Sequence, residues 1–370
     1  MTAAHKSFRL LITFVLFAVP AEAADEVNLI LFGDWGATSV IKGKDDEQTA
    51  DFASHRRYQK RTALALGGWL ASEGLAKRLD GILLLGDNFY GPLNGVDDPR
   101  WKTTFLDNFP KDTFPVNFYV VMGNHDFEDG NRMNWRAEID YALQKKDSRW
   151  LFPAENEKHT WYRLDLPSKE NALVTIIVFN TSPEHISKDK AKEKGIGDWN
   201  AQTAWLAQQL MPGNKGSAPW CAGAGHYPMF TNGHHYDDSL PNAKKDHEPW
   251  KLGREDLMQP LLKAEAQFWL GAHDHNLQFL RDQSAPGMEF VVAGGGAGDS
   301  LYKKPRPNKP ADDLFIDPPG WVWITFTKDT ATTRYFHAEV SNGSDAAKDK
   351  VEAREIFVRK LGDSFSKKPN

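Results

Sequence analysis

"ILLLGDNFYG" occupies residues 82–91. Four apolar residues with no polar alternation read as a strand buried on both faces. Gly86 then lets the backbone turn sharply. Just past the turn come a carboxylate, Asp87, and three residues later a phenol, Tyr90. A buried strand running straight into such groups suggests a ligand beyond its end, and the pattern recurs. After "LILF" comes "GDWG" (33–36) with Asp34, and after "YVVM" comes "GNHDF" (123–127) with Asn124, His125 and Asp126. After "CAGA" comes "GHYPMF" (225–230) with His226, and after "WL" comes "GAHDHNLQ" (271–278) with His273 and His275.

Apolar runs at 27–34, 81–87, 116–123, 172–180, 267–272 and 288–296 predict strands, and three-to-four spacing predicts helices over 61–79 and 201–210. Strands alternating with helices argue for an α/β protein with its chemistry at the carboxyl ends of the strands. Residues 320–329 and 331–340 alternate and predict a hairpin turning at Lys328-Asp329. The polar stretches 187–195, 303–313 and 344–354 read as solvated loops or helix faces.

The chain has 370 residues and a net charge of −5, which leaves no global basic surface for nucleic acid. Lys6 and Arg9 precede an apolar run of ten (10–19), too short to span a bilayer, and "AEA" (21–23) follows. This is the pattern of a secretory signal peptide over residues 1–23, with export to the periplasm or the extracellular space. Its removal takes away two cations and one anion and leaves −6. No later stretch is long and apolar enough to cross a membrane. Cys221 is the single cysteine, so an exported form has no intrachain disulfide; its small-residue surroundings suggest a packed thiol. "NTS" (180–182) and "NGS" (342–344) are glycosylation sequons only in a host that glycosylates, and Pro183 weakens the first.

Taken singly, each strand-end residue has a plainer role. Asp34 suits a turn or helix N-cap, Asn124 a turn, His226 a hydrogen-bonded core position, and Tyr90 the core. Only "HDH" is a metal signal by itself, with two imidazoles on one strand face. Together the five ends assemble oxygen donors for a hard cation and imidazoles for zinc, iron or manganese, which implies two different metals side by side.

The five motifs resemble those of the metallophosphoesterases, and among them the purple acid phosphatases of the small, mammalian-type tartrate-resistant branch. "GDNFYG", "AGHYP" and "HDHNLQ" carry the likeness most closely, which spans roughly residues 27 to 340. The resemblance implies a four-layer αββα sandwich of two mixed β-sheets flanked by helices. The catalytic domain would cover 24–340, with a C-terminal extension (341–370) packing on it. By residue-for-residue carry-over, ferric iron, Fe(3+), would be held by Asp34, Asp87, Tyr90 and His275. A divalent ion (Fe, Zn or Mn) would be held by Asp87, Asn124, His226 and His273, with Asp87 bridging. His125 would stay uncoordinated and face the substrate, with Asp126 orienting it or a ligand. A further family histidine falls on His235, with His234 beside it. An exposed loop histidine or a turn carboxylate are equally open roles for His235 and Asp126.

Three departures stand out. Ala272 replaces the usual glycine before His273, and Phe127 stands where mammalian-type proteins tend to have another histidine. The region matching their repression loop, 182–198, has no disulfide to accompany it. The implied reaction is direct attack of a metal-activated hydroxide on a phosphomonoester at acid to neutral pH, aided by His125 as imidazolium. Substrates would be small phosphate esters, phosphoproteins or nucleotides, acted on by a monomer with no nucleic-acid or membrane partner. The alternatives are hydrolysis of phosphodiesters or nucleotides at the same site, and a non-hydrolytic metal-binding or redox protein.

Overall fold

Strand periodicity decides which way each apolar run faces. In the first strand, β1 (Glu26–Phe32), Val27, Leu29 and Leu31 join one buried cluster, while Ile30 and Phe32 join another. The same division repeats through the chain and separates an inner core from an outer one. The computed structural model describes residues 25–36, 46–91, 93–127, 134–214, 216–236, 247–297, 313–317, 319–341 and 350–361. The expected signal peptide (1–23), most of 303–313 and the sequon at Asn342 lie outside them.

After β1 the chain forms α1 (Asp46–Ser72), β2 (Gly81–Leu85), β3 (Asn117–Val121), α2 (Asn134–Leu143) and β4 (Trp150–Leu151). Next come β5 (Tyr162–Leu166), β6 (Val174–Val178), α3 (Pro183–Ile186), α4 (Lys188–Lys194), α5 (Trp199–Gln209) and β7 (Trp220–Ala224). The remainder comprises α6 (His247–Leu252), α7 (Gln259–Lys263), β8 (Phe268–Gly271), β9 (Leu277–Leu280), β10 (Glu289–Ala293), β11 (Leu314–Ile316), β12 (Gly320–Thr327), β13 (Ala331–Ser341) and β14 (Lys350–Leu361).

Two seven-stranded mixed sheets result, ordered β14-β13-β12-β1-β2-β3-β4 and β11-β9-β10-β8-β7-β6-β5. Strands β1 to β4 run parallel, as do β6, β7, β8 and β10. The inner cluster draws Leu29, Leu83, Val121 and Ile324 from the first sheet and Ile176, Ala222, Leu270 and Val291 from the second, so the sheets face each other across it. The outer cluster sets Ile30, Ile82 and Trp323 against Leu66 and Trp69 of α1, and Trp269 and Val292 against Leu206 of α5 and Leu261 of α7. This is the four-layer αββα arrangement. Each fully buried Leu or Ile contributes about 1.5–3 kcal/mol, so two broad cores serve where disulfides are absent. Cys221 is a half-buried residue of β7 packed on the outer core.

Two expectations change. Residues 350–354, read as polar loop or helix face, begin β14, which pairs with β13 through a register shift at Tyr335/Phe336. Its charges are those of a sheet edge, with Arg334 joined to Glu355 and Arg354 to Glu339. Asn180 of the first sequon is fully buried and its side chain donates to Thr160, which leaves no room for a glycan.

Candidate metal centre

The parallel strands of both sheets end at one edge. Gly33 N–H donates to Ala293, Gly225 N–H to Leu270 and Ala272 N–H to His226, which stitches the strand-end loops together. The turns are tight enough to force Asp34, Asp87 and His273 to φ of 56°, 53° and 67°. Left-handed backbone costs a side-chain-bearing residue of order 1–3 kcal/mol, and it persists where the surroundings over-determine it. Here they do. Asp34 N–H donates to the Gly86 carbonyl, and His273 N–H donates to Asp34 Oδ2 at 2.8 Å. Gly86 itself sits at φ 91°, and a Cβ there would come within 2.6 Å of the His226 ring. The "HDH" histidines do not share a strand face as expected. β8 ends at Gly271 and β9 begins at Leu277, so both imidazoles project from the turn between them. The Ala272 methyl is accommodated because Gly33 opposite has none; a Cβ on Gly33 would stand 2.5 Å from it.

The seven expected ligand residues come together in two groups. In one, the Tyr90 hydroxyl lies 3.4 Å from Asp34 Oδ1 and 3.3 Å from His275 Nε2, and the latter is 3.5 Å from Asp34 Oδ1. In the other, His226 Nε2 lies 3.1 Å from Asn124 Oδ1, 3.1 Å from His273 Nδ1 and 3.3 Å from Asp87 Oδ1. Asp87 also hydrogen-bonds Tyr90, so it touches both groups. Donor atoms held at about 2.1 Å from one cation stand roughly 3.0–3.4 Å apart. The donor set and its spacing therefore fit bound cations, and Asp87, His226 and His273 each offer a donor atom within 4.8 Å of the others.

The electrostatics are those of a site built for positive charge. Burial works against a protonated His226, but the Asp87 and Asp34 carboxylates outweigh it and raise the imidazole to about 10. Burial likewise opposes ionisation of Asp87, yet the facing His226 and His125 hold it far below the usual carboxylate range. Burial, then the Asp87 and Asp34 charges, keep the Tyr90 phenol well above its ordinary value. His226 Nδ1 faces the Leu85 carbonyl at 2.8 Å, and a proton there leaves Nε2 turned toward the donors.

Three supporting residues went unread in the sequence. Asn88, inside "GDNFYG", accepts from Trp35 Nε1 and donates to Val121 and Glu138. Glu138, from α2, and Asp126 form a buried carboxyl pair. Burial, then the Asp87 charge, push Asp126 up to about 7, while burial and the Asp126 charge push Glu138 well up, so Glu138 keeps the proton. Asp126 accepts from the N–H groups of Gly123, Asn88 and Phe89 and thereby ties the β2 loop to the β3 loop. The third, Asp274, lies between the two histidines of "HDH" and is fully buried. Only Asn88 and Asp274 lie inside motifs; nothing local marks Glu138.

His125 lies outside the ligand groups, 4.0 Å from Asp87 Oδ2, with its ring 4.3 Å from that of Tyr90 and its side chain 34% exposed. His235 stacks on His273 at 4.2 Å, and His234 packs edge-on against His235 at 4.7 Å. Tyr227 also lies on His273, at 4.2 Å, and donates to Glu184 of α3. Phe127 packs between Trp135 and His185, so the segment 182–198, here α3, α4 and their flanks, reaches the rim of the centre through His185.

The family model for calcineurin-like phosphoesterase matches residues 27–277. The tartrate-resistant acid phosphatase type 5 of Rattus norvegicus is 28% identical over 283 residues, 74% of this chain and 73% of that protein. Purple acid phosphatase 17 of Arabidopsis thaliana is 25% identical over 76% of this chain and 71% of its own length. Among solved structures, GAP50, the anchor in the inner membrane complex of Plasmodium, shares the fold at a TM-score of 0.60 and 19% identity, covering 92% of this chain and 89% of its own.

Proposed function

The chain belongs to the calcineurin-like phosphoesterase family, and on that premise we propose that it is an exported, metal-dependent acid phosphatase acting on small phosphomonoesters at a two-cation centre. One observation carries this reading. Two donor groups share Asp87, and a histidine outside both, His125, stands beside them with its side chain partly open to solvent. Donors alone would serve a structural ion; the added histidine is what a reaction needs. The fold by itself does not decide the matter, since folds host unrelated functions.

Asp34, Asp87, Tyr90 and His275 would hold one cation, and Asp87, Asn124, His226 and His273 the other. A phenolate ligand beside two carboxylates calls for a hard, highly charged ion, which favours ferric iron at the first position and a divalent Fe, Zn or Mn ion at the second. Bound there, the cations supply the Lewis acidity that polarises a phosphate ester and activates water. The protein's own residues do the rest. His125, its ring tilted against Tyr90 and its Nε2 4.0 Å from Asp87 Oδ2, would donate a proton to the departing ester oxygen. Protonated, it also balances charge gathering on the phosphoryl oxygens, so acid conditions favour it. His235, stacked on His273, brings a second imidazole to the substrate side.

The test is turnover of p-nitrophenyl phosphate against its bis ester from pH 4 to 8 by the purified mature protein. The reading expects the monoester to be the better substrate, with its optimum below neutrality. Preference for the bis ester would replace the monoesterase assignment, and no turnover of either by metal-loaded protein would refute it.

A further inference from the structure

Asp274 sits between two ligand histidines, yet its oxygens serve another part of the chain. Oδ1 accepts from the backbone N–H of His235 at 3.1 Å, and Oδ2 accepts from the Thr231 hydroxyl. Thr231 Oγ1 in turn accepts from Gln278 Nε2 at 3.0 Å and from Gly233 N–H at 2.9 Å. Gln278 Oε1 accepts from Asn232 N–H at 2.7 Å, so the whole turn from Thr231 to His235 is fastened to the segment 274–278. Gly233 rests directly on this anchor, since a Cβ there would meet the Asp274 carboxyl carbon at 2.6 Å.

We propose that Asp274 is a positioning residue, which locks the loop bearing His235 onto the loop bearing His273 and His275 and so fixes His235 over the centre, where the phosphoryl group binds. This rests on the phosphatase reading above. The hydrogen-bond inventory requires a carboxylate at this position. A hydroxyl oxygen accepts twice and donates once. Both acceptor positions of Thr231 are filled by Gln278 and Gly233, so its proton must go to Asp274. The other Asp274 oxygen must accept from His235. An asparagine satisfies one of these demands and not both, because its amide nitrogen then faces either a filled hydroxyl oxygen or an N–H. Asp274→Asn is therefore a nearly isosteric release of the lock.

The experiment compares the mature protein with Asp274→Asn, His235→Ala and the double variant. It measures metal content, kcat and KM for p-nitrophenyl phosphate, the Kd of inorganic phosphate by calorimetry, and amide hydrogen exchange over 231–236. Displacements of about 1 Å cost up to roughly a hundredfold in rate. Asp274→Asn should thus keep its metals, lose about ten- to a hundredfold in kcat/KM, bind phosphate more weakly and exchange faster at 231–236. In the His235→Ala background it should change kcat/KM by less than about twofold, because it acts through His235. The full loss persisting in that background, loss of a metal, or unchanged exchange would each overturn the proposal. If Asp274→Asn does not fold, Thr231→Val, which removes only the hydroxyl, carries the same expectations, with Thr231→Ser restoring wild-type behaviour. A wild-type protein that binds metals and phosphate but turns over no ester would refute the phosphatase reading alone, and the exchange and phosphate measurements would still decide the role of Asp274.

Discussion

Asp126→Asn tests how the strand-end loops are held, because the change keeps the side chain's shape while swapping one oxygen for nitrogen and removing its charge. Oδ1 of Asp126 accepts from Asn88 N–H at 2.9 Å and Phe89 N–H at 3.1 Å; Oδ2 accepts from Gly123 N–H at 2.7 Å and Asn88 Nδ2 at 3.3 Å. Either orientation of an amide sets its NH2 against two donors in a fully buried place. A buried donor left unsatisfied costs about 1–3 kcal/mol, so the pair costs roughly 2–6 kcal/mol, nearer the lower figure if the amide finds Glu138. Against a total stability of about 5–15 kcal/mol, that is a large fraction. The melting temperature should fall by about 5–15 °C. The two loops joined by Asp126 also carry Asp87 and Asn124, so metal affinity should weaken about 10–100-fold. The assay is thermal unfolding at pH 8, above the titration of Asp126, together with metal content after dialysis against a graded chelator. A variant melting within about 1 °C of wild type and holding its metals as tightly would refute the strut.

Further outcomes follow from the same geometry. His125→Ala should lower kcat by about 10²–10⁴-fold with both metals retained, measured by steady-state kinetics beside elemental analysis. Tyr90→Phe should abolish a visible charge-transfer band without unfolding the protein, as absorbance and circular dichroism would record. Glu289, fully buried beneath Arg281 and Arg359 far from the centre, is raised by burial from 4.5 to about 7 against the pull of Arg281. Its folded form holds the proton more tightly than its unfolded form. Stability should therefore fall as pH rises from about 4.5 to 7, by at most a few kcal/mol, and Glu289→Gln should flatten that slope in melting curves.

The strand-end motifs were legible because each packs a buried run, a turn and a donor into a few consecutive residues. "ILLLGDNFYG" announces β2 and the donor side chains beyond its end without reference to the rest of the chain. The turn at Lys328-Asp329 was legible for the same reason, with Thr327 N–H closing on the Thr330 carbonyl. What stayed hidden depends on distant partners. β14 is rich in charge, and only its pairing with β13 makes it a strand. Asp126 carried a signal, yet its strut role needs Asn88 and Phe89 from another loop, and Glu138 appears among them only when α2 packs beneath. Asp274 was visible as the middle letter of "HDH", but the direction of its carboxylate is set by Thr231 and the turn that follows it.

The central claim is a pair of cations sharing Asp87. Elemental analysis of the purified mature protein, wild type beside Asp87→Asn, tests it most directly. The account predicts two metal ions per wild-type chain, one of them iron, and loss of both in the variant. One ion per chain, or two ions retained by Asp87→Asn, would contradict it.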